Sequence, residues 1–511
     1  MSHNPKIKDL DKLANILSKF KTKGKKIIHC HGVFDLMHPG HIRHFQAAKA
    51  LGDVLVVTVT ADKYVNKGPG RPVFTQELRA DTIAAIEYVD YVVINFSSNA
   101  IEIIKKLQPD IYVKGKDYAD AERDETRGII LEREAIESVG GRIHFTDEIT
   151  FSSSSLLNEY FGIYPEQVGN FLKSFKQKYS VDQVVKQLRG LKDIKVLLIG
   201  ESILDEYHFV SPIGKPPKGT HIAAKLLSEE VYAGGILACA NNMANFCGHV
   251  ELITAIGKHD NKEKLIRGKL RSNILPRFFY YEQAPTIIKR RFLEPSYFNK
   301  LFEIYICDDK FAIELEGEIG NYIVDVLQKQ NYDLVLVLDY GHGLLTPKLI
   351  NLICSSHTFL AVNAQTNTAN AGFNPITKYS RANYFCLDLP ELRLAFQDKH
   401  SDLEKLIKKL GQRISFPGAI CVTLGPRGAI IYNPEDKTMF NIPVLSQNIV
   451  DTTGAGDAFL AITALCVAKH FPLDLVGFIG NATGALAVTI IGNRESVEAE
   501  SLLRFITTLL K

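Results

Sequence analysis

The stretch HGVFDLMHPGHIRH, residues 31–44, holds four histidines, and two of them, His38 and His41, flank a Pro-Gly pair. It follows an apolar run at residues 27–30 and leads into the helix-like segment IRHFQAAKALG. This order of strand, turn and helix is typical of an α/β unit, in which ligands bind at the carboxyl ends of the strands. The stretch therefore predicts both a fold and a site.

Three interpretations of His38 and His41 are open. A zinc site would need further ligands at a diagnostic spacing, and the sequence offers none. Core packing is disfavoured, because Pro-Gly between the two histidines is typical of a turn and not of a helix interior. A phosphate site is favoured, since Gly40 permits a tight turn at the start of a helix, where free N–H groups attract anions.

The composition excludes several classes of function. The 511 residues are 46% hydrophobic and carry a net charge of +3, which gives no reason to expect nucleic acid or a membrane surface as a partner. No apolar run approaches the roughly 20 residues of a membrane helix, and the N-terminus has no secretory apolar region. The 8 cysteines are scattered without a CxxC pair. We therefore expect a cytoplasmic protein.

Strands and helices alternate along most of the chain, which predicts an α/β fold with parallel sheets. The alternation breaks in a basic, amphipathic segment around residues 158–192 and resumes with the strand KVLLIG at residue 195. We expect two domains. The predicted boundaries are a helical extension at 1–24, a first domain at 25–162, a helical linker at 163–192 and a larger domain at 193–511.

A second informative stretch is VDTTGAGDAF, residues 450–459. The backbone N–H groups of Gly454, Ala455 and Gly456 are unobstructed by bulky side chains, and a helix follows, so they predict an anion cradle. Asp457, in the first helical turn, could accept a hydroxyl proton as that oxygen attacks a γ-phosphate. The alternative is an ordinary aspartate near a helix start. The chain has no GxxxxGK[ST] motif, so it is not a P-loop enzyme.

The N-terminal motifs resemble a known family. HPGH resembles the HxGH signature of the cytidylyltransferase-like nucleotidyltransferases. The strings GVFDLMHPGH, GPGRPVFTQELR, AIEYVDYVV, PDIYVKGKDY and FSSSSLL resemble, in order and spacing, its heptose-1-phosphate adenylyltransferase branch. The resemblance covers about residues 25–160. It implies a small Rossmann-like domain in which a substrate phosphate attacks the α-phosphorus of a nucleoside triphosphate. His38 and His41 would then stabilise the charge that develops on the phosphates.

The same resemblance implies further contacts to the nucleotide. Asp35 would orient the turn or the sugar phosphate. Lys67 and Arg71 lie in a Gly/Pro loop suited to a mobile cover, although solvated surface charge is an equal alternative. The four serines would start a helix that holds the triphosphate, with a solvated linker as the alternative. We expect Mg²⁺ on the triphosphate, and ATP in preference to CTP, because FSSSSLL is closer to the adenylyltransferases. The predicted nucleotide-binding residues are Gly32, Phe34, Asp35, Gly40, Lys114, Gly115, Ser152, Ser153, Ser154 and Ser155.

The C-terminal motifs resemble the ribokinase-like carbohydrate kinases. DTTGAGDAF resembles their C-terminal signature, and GESILDEY, AGG, LDYGHG and VTLGPRGAIIY fit the same family over about residues 193–511. The resemblance implies a larger ribokinase-like α/β domain that phosphorylates a sugar with ATP. Residues 209–232 would form a β lid over the sugar. Such lids are frequently shared across a dimer, so we expect a homodimer.

This resemblance assigns candidate residues to each function, with Asp457 as the catalytic base. The ATP and anion-hole candidates are Thr453, Gly454, Ala455, Gly456, Thr423 and Gly425; the sugar candidates are Asp205, Gly234, Gly235, Asn363 and Gln365; the metal candidates are Asp388 and Glu391. The chain departs from the family on the acceptor side. Ala238 stands where the family usually has Asn, and Asn363-Ala364-Gln365 stands where the heptose kinases have Asp-Pro-Lys.

Together, the halves resemble the bifunctional heptose-phosphate kinase/adenylyltransferases in reversed order. The resemblance implies a bifunctional enzyme of nucleotide-sugar biosynthesis for a bacterial surface glycan. The C-terminal domain would phosphorylate a sugar or sugar phosphate with ATP. The N-terminal domain would transfer a nucleotidyl group to a sugar 1-phosphate, a heptose-like sugar being expected. The alternative is an active nucleotidyltransferase, using CTP and a polyol phosphate, fused to a kinase-like domain that only binds sugar.

Overall fold

The computed structural model describes residues 4–511 except 66, 117–127, 147–163, 261, 297, 309–313, 414–416 and 447. The chain forms two compact units. Unit 1 comprises Met1–Val181 together with Glu500–Lys511, and unit 2 comprises Asp182–Ala499. The last helix of the chain thus belongs to unit 1, whereas the sequence assigned it to the second domain. The domain boundaries drawn from the sequence stay a prediction. The serines predicted to hold a triphosphate, Ser152 to Ser155, lie outside the described residues.

Unit 1 contains a five-stranded sheet flanked by helices. Its strands are β1 (Ile27–Gly32), β2 (Val54–Thr60), β3 (Tyr91–Asn95), β4 (Ile111–Gly115) and β5 (Arg142–Thr146). Its helices before residue 180 are α1 (Leu10–Lys21), α2 (Pro39–Lys49), α3 (Gln76–Ala84), α4 (Ile101–Leu107), α5 (Gly128–Ser138) and α6 (Glu166–Lys178).

The sheet of unit 1 is parallel throughout, in the order β3-β2-β1-β4-β5. This confirms the Rossmann-like α/β domain predicted from the sequence. Every residue of β2 is buried, as expected for a parallel strand with both faces covered. Because β1 ends at Gly32 and α2 begins at Pro39, the motif HGVFDLMHPGH lies at the carboxyl edge of the sheet.

A polar stripe crosses the otherwise apolar β1 and β2. His29 Nε2 and His31 Nδ1 each lie 2.8 Å from the same atom, Thr58 Oγ1. A hydroxyl has a single proton, so at least one imidazole must donate to this oxygen. Burial lowers the pKa of His31 to about 3 and holds the pKa of His29 well below its usual range. Both rings are therefore neutral at physiological pH.

The described residues of unit 2 form thirteen strands and most of the remaining helices. The strands are β6 (Lys195–Gly200), β7 (Ser202–Gly214), β8 (Ala223–Gly235), β9 (His249–Gly257), β10 (Ile274–Tyr281), β11 (Ile287–Glu294), β12 (Asn299–Ile306), β13 (Leu334–Asp339), β14 (Leu360–Ala364), β15 (Ala382–Asp388), β16 (Pro417–Thr423), β17 (Ala429–Tyr432) and β18 (Met439–Ile442). The helices from residue 181 onward are α7 (Val181–Arg189), α8 (Ile236–Ala244), α9 (Glu263–Lys269), α10 (Glu316–Lys329), α11 (Pro347–Cys354), α12 (Leu389–Phe396), α13 (Leu403–Arg413), α14 (Ala455–Ala468), α15 (Leu473–Ala487) and α16 (Ala499–Leu510), the last of which unit 1 shares.

The main sheet of unit 2 has nine strands in the order β10-β9-β6-β13-β14-β15-β16-β17-β18. The first seven are parallel, and β17 and β18 extend the sheet antiparallel. The carboxyl ends of the parallel strands meet at one edge, as the alternating pattern predicted. Within the described ranges, no helix has both the length and the apolar character needed to cross a membrane.

A separate four-stranded sheet, here called the lid sheet, has the order β12-β11-β7-β8. Residues 209–232, predicted as a β lid, lie mostly in the antiparallel pair of β7 and β8. Several large apolar side chains are exposed on its strands or the turn between them: Ile213, Ile222, Leu226, Leu227, Leu301, Phe302 and Ile304. The predicted β segment is confirmed, and it leaves apolar surface without cover in the single chain.

The buried histidines make the stability of unit 1 depend on pH. The pKa values of His31, His41 and His44 are lowered by burial to about 3, 3 and 4, against a usual value of about 6.5 in an unfolded chain. The unfolded state then binds more protons below pH 6.5. We expect the free energy of unfolding of unit 1 to fall as pH drops from 6.5 towards 4, by up to about 1.4 kcal/mol per pH unit for each histidine.

Thermal melts between pH 7.5 and 4.5 measure this effect. The variant His31→Asn should show a shallower fall of the melting temperature with pH, because one of the proton-linked groups is gone. His144→Asn, on β5, is the matched control. An unchanged slope in His31→Asn would mean that His31 is not titrated on unfolding.

Candidate active sites

The two histidines of the HPGH motif lie together at the start of α2. His38 is the N-cap residue, and Pro39 occupies the first helical turn. The rings of His38 and His41 are stacked, with centroids 3.8 Å apart and planes 25° apart. The site therefore combines two imidazoles with the N-terminus of a helix, whose partial positive charge favours anions.

Phe34 supports this pair from the preceding turn. Its backbone has a positive φ of 51°, which is unusual for a bulky residue. Its ring packs edge-on against His41, with a centroid distance of 5.3 Å, and against Phe45, at 5.2 Å. Gly32 precedes this turn and lies directly beside the Phe34 ring. The predicted residues Gly32 and Phe34 thus shape the turn next to His41.

Both imidazoles of the motif are neutral at physiological pH. Burial lowers the pKa of His38, and burial together with the charges of His38, His44 and Lys67 lowers that of His41 to about 3. His41 Nδ1 is buried and forms no hydrogen bond with any described residue. A neutral imidazole presents one N–H donor and one acceptor. A bound phosphate would supply the missing partner.

Asp35 holds the loop that carries the predicted basic residues. Its Oδ1 accepts hydrogen bonds from the backbone N–H groups of Val73 (2.8 Å) and Phe74 (3.1 Å), and its Oδ2 lies 3.3 Å from Arg71 Nη1. Burial lowers the pKa of Lys67 to about 8. Asp35 thus holds the turn at residues 71–74. Its predicted function in the nucleotide site stays a prediction.

Arg79 fixes the same region and was not singled out in the sequence, although it ends the quoted string GPGRPVFTQELR. The side chain is almost fully buried, at 2% exposure. Its guanidinium donates to the carbonyl oxygens of Phe74 (2.9 Å), Thr60 (2.9 Å) and Val33 (2.5 Å). Arg79 therefore ties the end of β2 to both loops of the site.

Lys114 and Gly115 lie at the carboxyl end of β4. Lys114 Nζ is 3.0 Å from Glu132 Oε2, an oxygen that also accepts from the hydroxyl of Tyr112 at 3.0 Å. A side chain at Gly115 would meet no atom of a described residue within 4 Å. The structure thus pairs Lys114 with a carboxylate. No group of three or more metal-ligating side chains occurs among the described residues.

In unit 2, the GAGD motif opens α14. Gly454 is the N-cap residue, with φ +82°, and a side chain there would overlap Asn493 Oδ1 at 2.1 Å. The next two residues, Ala455 and Gly456, form the first turn, and a side chain at Gly456 would meet open space. The predicted anion cradle therefore sits at the N-terminus of a 14-residue helix.

Asp457 is buried beside this cradle. Its Oδ1 accepts hydrogen bonds from the hydroxyl of Tyr340 and from Nε2 of Gln365, both at 3.0 Å. Burial raises its pKa to about 6; the Tyr340 and Gln365 hydrogen bonds oppose this rise, and the charge of Asp205 adds to it. Gln365, predicted on the sugar side, thus contacts the predicted catalytic base directly.

Asp205 completes the arrangement. Its Oδ1 pairs with Arg291 Nη1, and its Oδ2 accepts from Asn493 Nδ2 at 3.0 Å. A side chain at Gly234 would lie 2.2 Å from Asp205 Oδ2, so only glycine allows this approach. Since Asn493 also touches Gly454, a single residue spans the distance between Asp205 and the cradle. The structure therefore brings the predicted sugar, anion and base residues into one site.

Two cations of β11 line this site and were missed in the sequence. Lys289 and Arg291 are two residues apart and therefore point to the same side of the strand. Lys289 Nζ lies 6.0 Å from the centre of the Tyr340 ring. Burial lowers the pKa of Lys289, and the carboxylates of Asp205, Glu303 and Asp457 counteract this. The available signal was a pair of cations at strand spacing in the partly apolar run IIKRRF.

Two family models match the chain. The model described as pfkB family carbohydrate kinase matches residues 194–500, which is more than half of the chain, and the model described as Cytidylyltransferase-like matches residues 29–159. The chain belongs to the pfkB family of carbohydrate kinases. It also carries a cytidylyltransferase-like domain at its N-terminus.

Curated relatives align with the N-terminal region. The "Bifunctional protein HldE" of Citrifermentans bemidjiense is 38% identical over 156 residues, which cover 30% of this chain and 31% of the relative. The protein of the same name from Sulfurimonas denitrificans is 43% identical over 114 residues, or 22% and 24% of the two chains. The alignments thus span a third or less of the length of these relatives.

Solved structures similar to the chain include ribokinase from Thermotoga maritima, with a TM-score of 0.47, 18% identity and coverage of 61% of this chain and 99% of that one. Phosphofructokinase-2 from Escherichia coli in complex with potassium gives a TM-score of 0.49 at 15% identity and covers 62% and 99%.

The turn before the cradle of the pfkB-family unit is held by Asp451. Its Oδ1 accepts from the backbone N–H of Thr453 (3.0 Å) and from Lys300 Nζ (2.9 Å), and Lys300 also donates to Thr453 Oγ1 at 2.6 Å. The predicted residue Thr453 is thus anchored from the lid sheet by Lys300.

The remaining predicted residues lie at the carboxyl edge of the main sheet. Asp388 and Glu391 form a reciprocal capping box at the start of α12, in which each side chain accepts from the backbone N–H of the other, at 2.7 Å. Thr423 is the register partner of Asp388, and Gly425 opens the next turn. Asn363 donates to the carbonyl of Cys386. A metal-binding function for Asp388 and Glu391 stays a prediction, beside the structural function seen here.

Proposed function

We propose that this chain is a bifunctional transferase of nucleotide-sugar biosynthesis. The pfkB-family unit transfers the γ-phosphoryl group of ATP to a sugar or sugar phosphate. The cytidylyltransferase-like domain transfers a nucleotidyl group from a nucleoside triphosphate to a sugar 1-phosphate and releases pyrophosphate. The partners are these small molecules, the sugar is heptose-like, and the site of action is the cytoplasm, where nucleoside triphosphates are available.

The kinase half of the proposal rests on one observation, the buried Asp457 beside the helical anion cradle. The acceptor hydroxyl would give its proton to Asp457 as its oxygen attacks the γ-phosphorus, and ADP would leave. The N–H groups of Gly454 to Gly456 would hold the negative charge of the phosphates. Mg²⁺ would enter with the triphosphate, since it is usually held by substrate phosphates and waters with few protein ligands. Burying the carboxylate of Asp457 is unfavourable, since it raises the pKa of this group. A module that only binds sugar does not need a carboxylate at this position.

We expect Asp457→Asn to abolish most of the phosphoryl transfer while ATP still binds, because the variant keeps the shape and removes the base. In the wild type, kcat/KM should rise as pH increases through about 6, where Asp457 loses its proton. Tyr340→Phe removes a hydrogen bond that favours the carboxylate, so this rise should shift to higher pH. Steady-state kinetics with a sugar panel measure both.

The control for this pair is Tyr332→Phe, a buried tyrosine that bonds Glu251 on the main sheet and not Asp457. Its pH profile should match that of the wild type. Phosphorylation by Asp457→Asn at the wild-type rate would mean that Asp457 is not the catalytic base.

The transferase half rests on the two stacked, neutral imidazoles at the start of α2. In this reaction no protein nucleophile is required, because the substrate phosphate attacks and pyrophosphate leaves. The protein supplies positioning and donors for the developing charge. We propose ATP in preference to CTP as the nucleotide, on the resemblance of FSSSSLL to adenylyltransferases. Pyrophosphate release with each triphosphate and a panel of sugar 1-phosphates distinguishes the two.

We expect His41→Ala to lower nucleotidyl transfer by about 10²–10³-fold, since one preorganised donor to the phosphates is lost. Sugar phosphorylation should be unchanged. His144→Ala, on β5, is the control and should retain both activities. If both activities of a folded His41→Ala protein fell together, the two sites would not be separate.

The acceptor site differs from that expected for heptose 7-phosphate. A cavity of about 380 Å³ has a lining that includes Ala238, Tyr232, Lys269 and Asn493. Asn493 in turn donates a hydrogen bond to Asp205. Ala238 stands where the family usually has Asn. This chain therefore lacks an amide side chain that would form a hydrogen bond with a hydroxyl of the sugar. Gln365 replaces a cation with an amide that bonds the base. Both changes alter which hydroxyl and phosphate groups the site can pair.

We therefore expect D-glycero-D-manno-heptose 7-phosphate to be a poor substrate of the kinase unit, because mismatched polar groups would be buried without partners. The measurement is kcat/KM with that sugar. A value of about 10⁴ M⁻¹s⁻¹ or higher would show an ordinary heptose-phosphate kinase. Ala238→Asn should raise activity towards the heptose phosphate if the cavity is the cause.

We propose a homodimer formed through the lid sheet, whose exposed apolar side chains need cover. Adjacent strand residues point to opposite faces, so the double variant Leu226→Lys/Leu227→Lys charges both faces of β8. We expect it to be monomeric by sedimentation at micromolar concentration, whereas Leu275→Lys, exposed on β10, should stay dimeric. A monomeric wild type would refute the dimer.

A further inference from the structure

We propose that α16, the last helix of the chain, positions the basic loop of the nucleotidyltransferase site. The basic loop is defined here as residues 67–72. Phe505 of α16 is the positioning residue. The inference rests on the proposed transferase function for its activity test, and on packing alone for its structural test.

The first observation is a close contact between helix and loop within unit 1. A side chain at Gly68 would lie 1.9 Å from Phe505 Cδ2, so the backbone of Gly68 runs directly against the aromatic ring. Gly68 also has φ +91°, a conformation that other residues rarely adopt. Phe505 is fully buried. The loop therefore rests on a rigid ring, and its glycine is required by both space and backbone.

The second observation is that Asp35 also anchors the loop. Asp35 pairs with Arg71 and accepts from the backbone N–H of Val73, at 3.3 and 2.8 Å. Asp35 follows Phe34 in the turn that supports His41. The basic loop is thus held by Asp35, which follows Phe34 in its turn, and by Phe505 of α16.

The third observation concerns the charge that the loop carries. Lys67 lies close enough to His41 to influence its titration, and close enough to Asp35, Arg71 and Lys511 for their charges to act on it. Lys511 is the residue that follows α16. The helix therefore contacts the loop through the Phe505 ring, and the charge of Lys511, which follows the helix, acts on Lys67.

These contacts explain why α16 belongs to unit 1. The pfkB match ends at residue 500, and the residues of unit 1 resume at the same point. Most of α16 thus lies beyond the matched kinase region, and its Phe505 packs against the basic loop.

The functional consequence is a dependence of nucleotidyl transfer on Phe505. Phe505→Leu keeps an apolar side chain and removes the flat surface under Gly68. In the full-length protein, we expect kcat/KM for nucleotidyl transfer to fall by about 10- to 100-fold, because the charges of Lys67 and Arg71 would be displaced from the nucleotide. Sugar phosphorylation should not change. Phe478→Leu removes an equally buried ring from α15 and should leave the transferase unaffected.

A structural measurement separates this inference from the proposed function. Hydrogen exchange of the peptide that covers residues 67–72 should become faster in Phe505→Leu and not in Phe478→Leu, whether or not a substrate is known. If the wild type lacks transferase activity but exchange at residues 67–72 is faster in Phe505→Leu than in the wild type, the proposed function fails and the inference stands. If Phe505→Leu is folded and neither exchange nor activity changes, the inference is wrong.

A second variant covers the case in which Phe505→Leu does not fold. Gly68→Ala places a methyl group against the ring from the loop side and should also speed exchange and lower transfer. Where both single variants fold, a double-mutant cycle with Phe505→Leu should show non-additive effects, as residues in contact do. Additive effects would mean that Gly68 and Phe505 act independently.

Discussion

A parallel sheet forces every strand to end at the same edge, and both candidate sites depend on this constraint. In unit 1, β1 ends just before His38 and α2; in unit 2, the parallel strands end near the start of α14. Each edge thereby receives a helix N-terminus with unpaired N–H groups and partial positive charge. Both candidate phosphate sites therefore lie at a helix N-terminus beside the carboxyl edge of a parallel sheet.

The two sites differ in how burial changes their ionisable groups. Burial keeps His38 and His41 neutral, so they offer hydrogen-bond donors without a permanent charge. Burial instead moves the pKa of Asp457 up to about 6, close to the range in which a base works at physiological pH. Burial thus has opposite effects on the two pKa values. It keeps the imidazoles neutral, as their proposed function in charge stabilisation requires, and it raises the pKa of the carboxylate, as its proposed function in proton transfer requires.

Two neutral amides connect the charged residues of the candidate site in unit 2. Asn493 bridges Asp205 to Gly454, and Gln365 bonds the carboxylate of Asp457. Amides donate and accept in fixed directions, so such a site selects ligands by the pattern of their hydroxyls. The cations Lys289 and Arg291 belong to β11, so the lid sheet also contributes side chains to the candidate site.

The sequence alone determined the α/β fold, the β lid and the two motifs, because strand-helix alternation and glycine-rich turns are local signals. It also singled out Asp205, Gly234 and Asp457, because each of them stands in a short motif. Only the tertiary structure revealed Arg79, Lys289, Arg291 and Asn493, since their partners lie far away in the chain. The same holds for Phe505 against Gly68, which are separated by more than four hundred residues. Contacts of this kind depend on how distant elements pack, and no local pattern of residues records that packing.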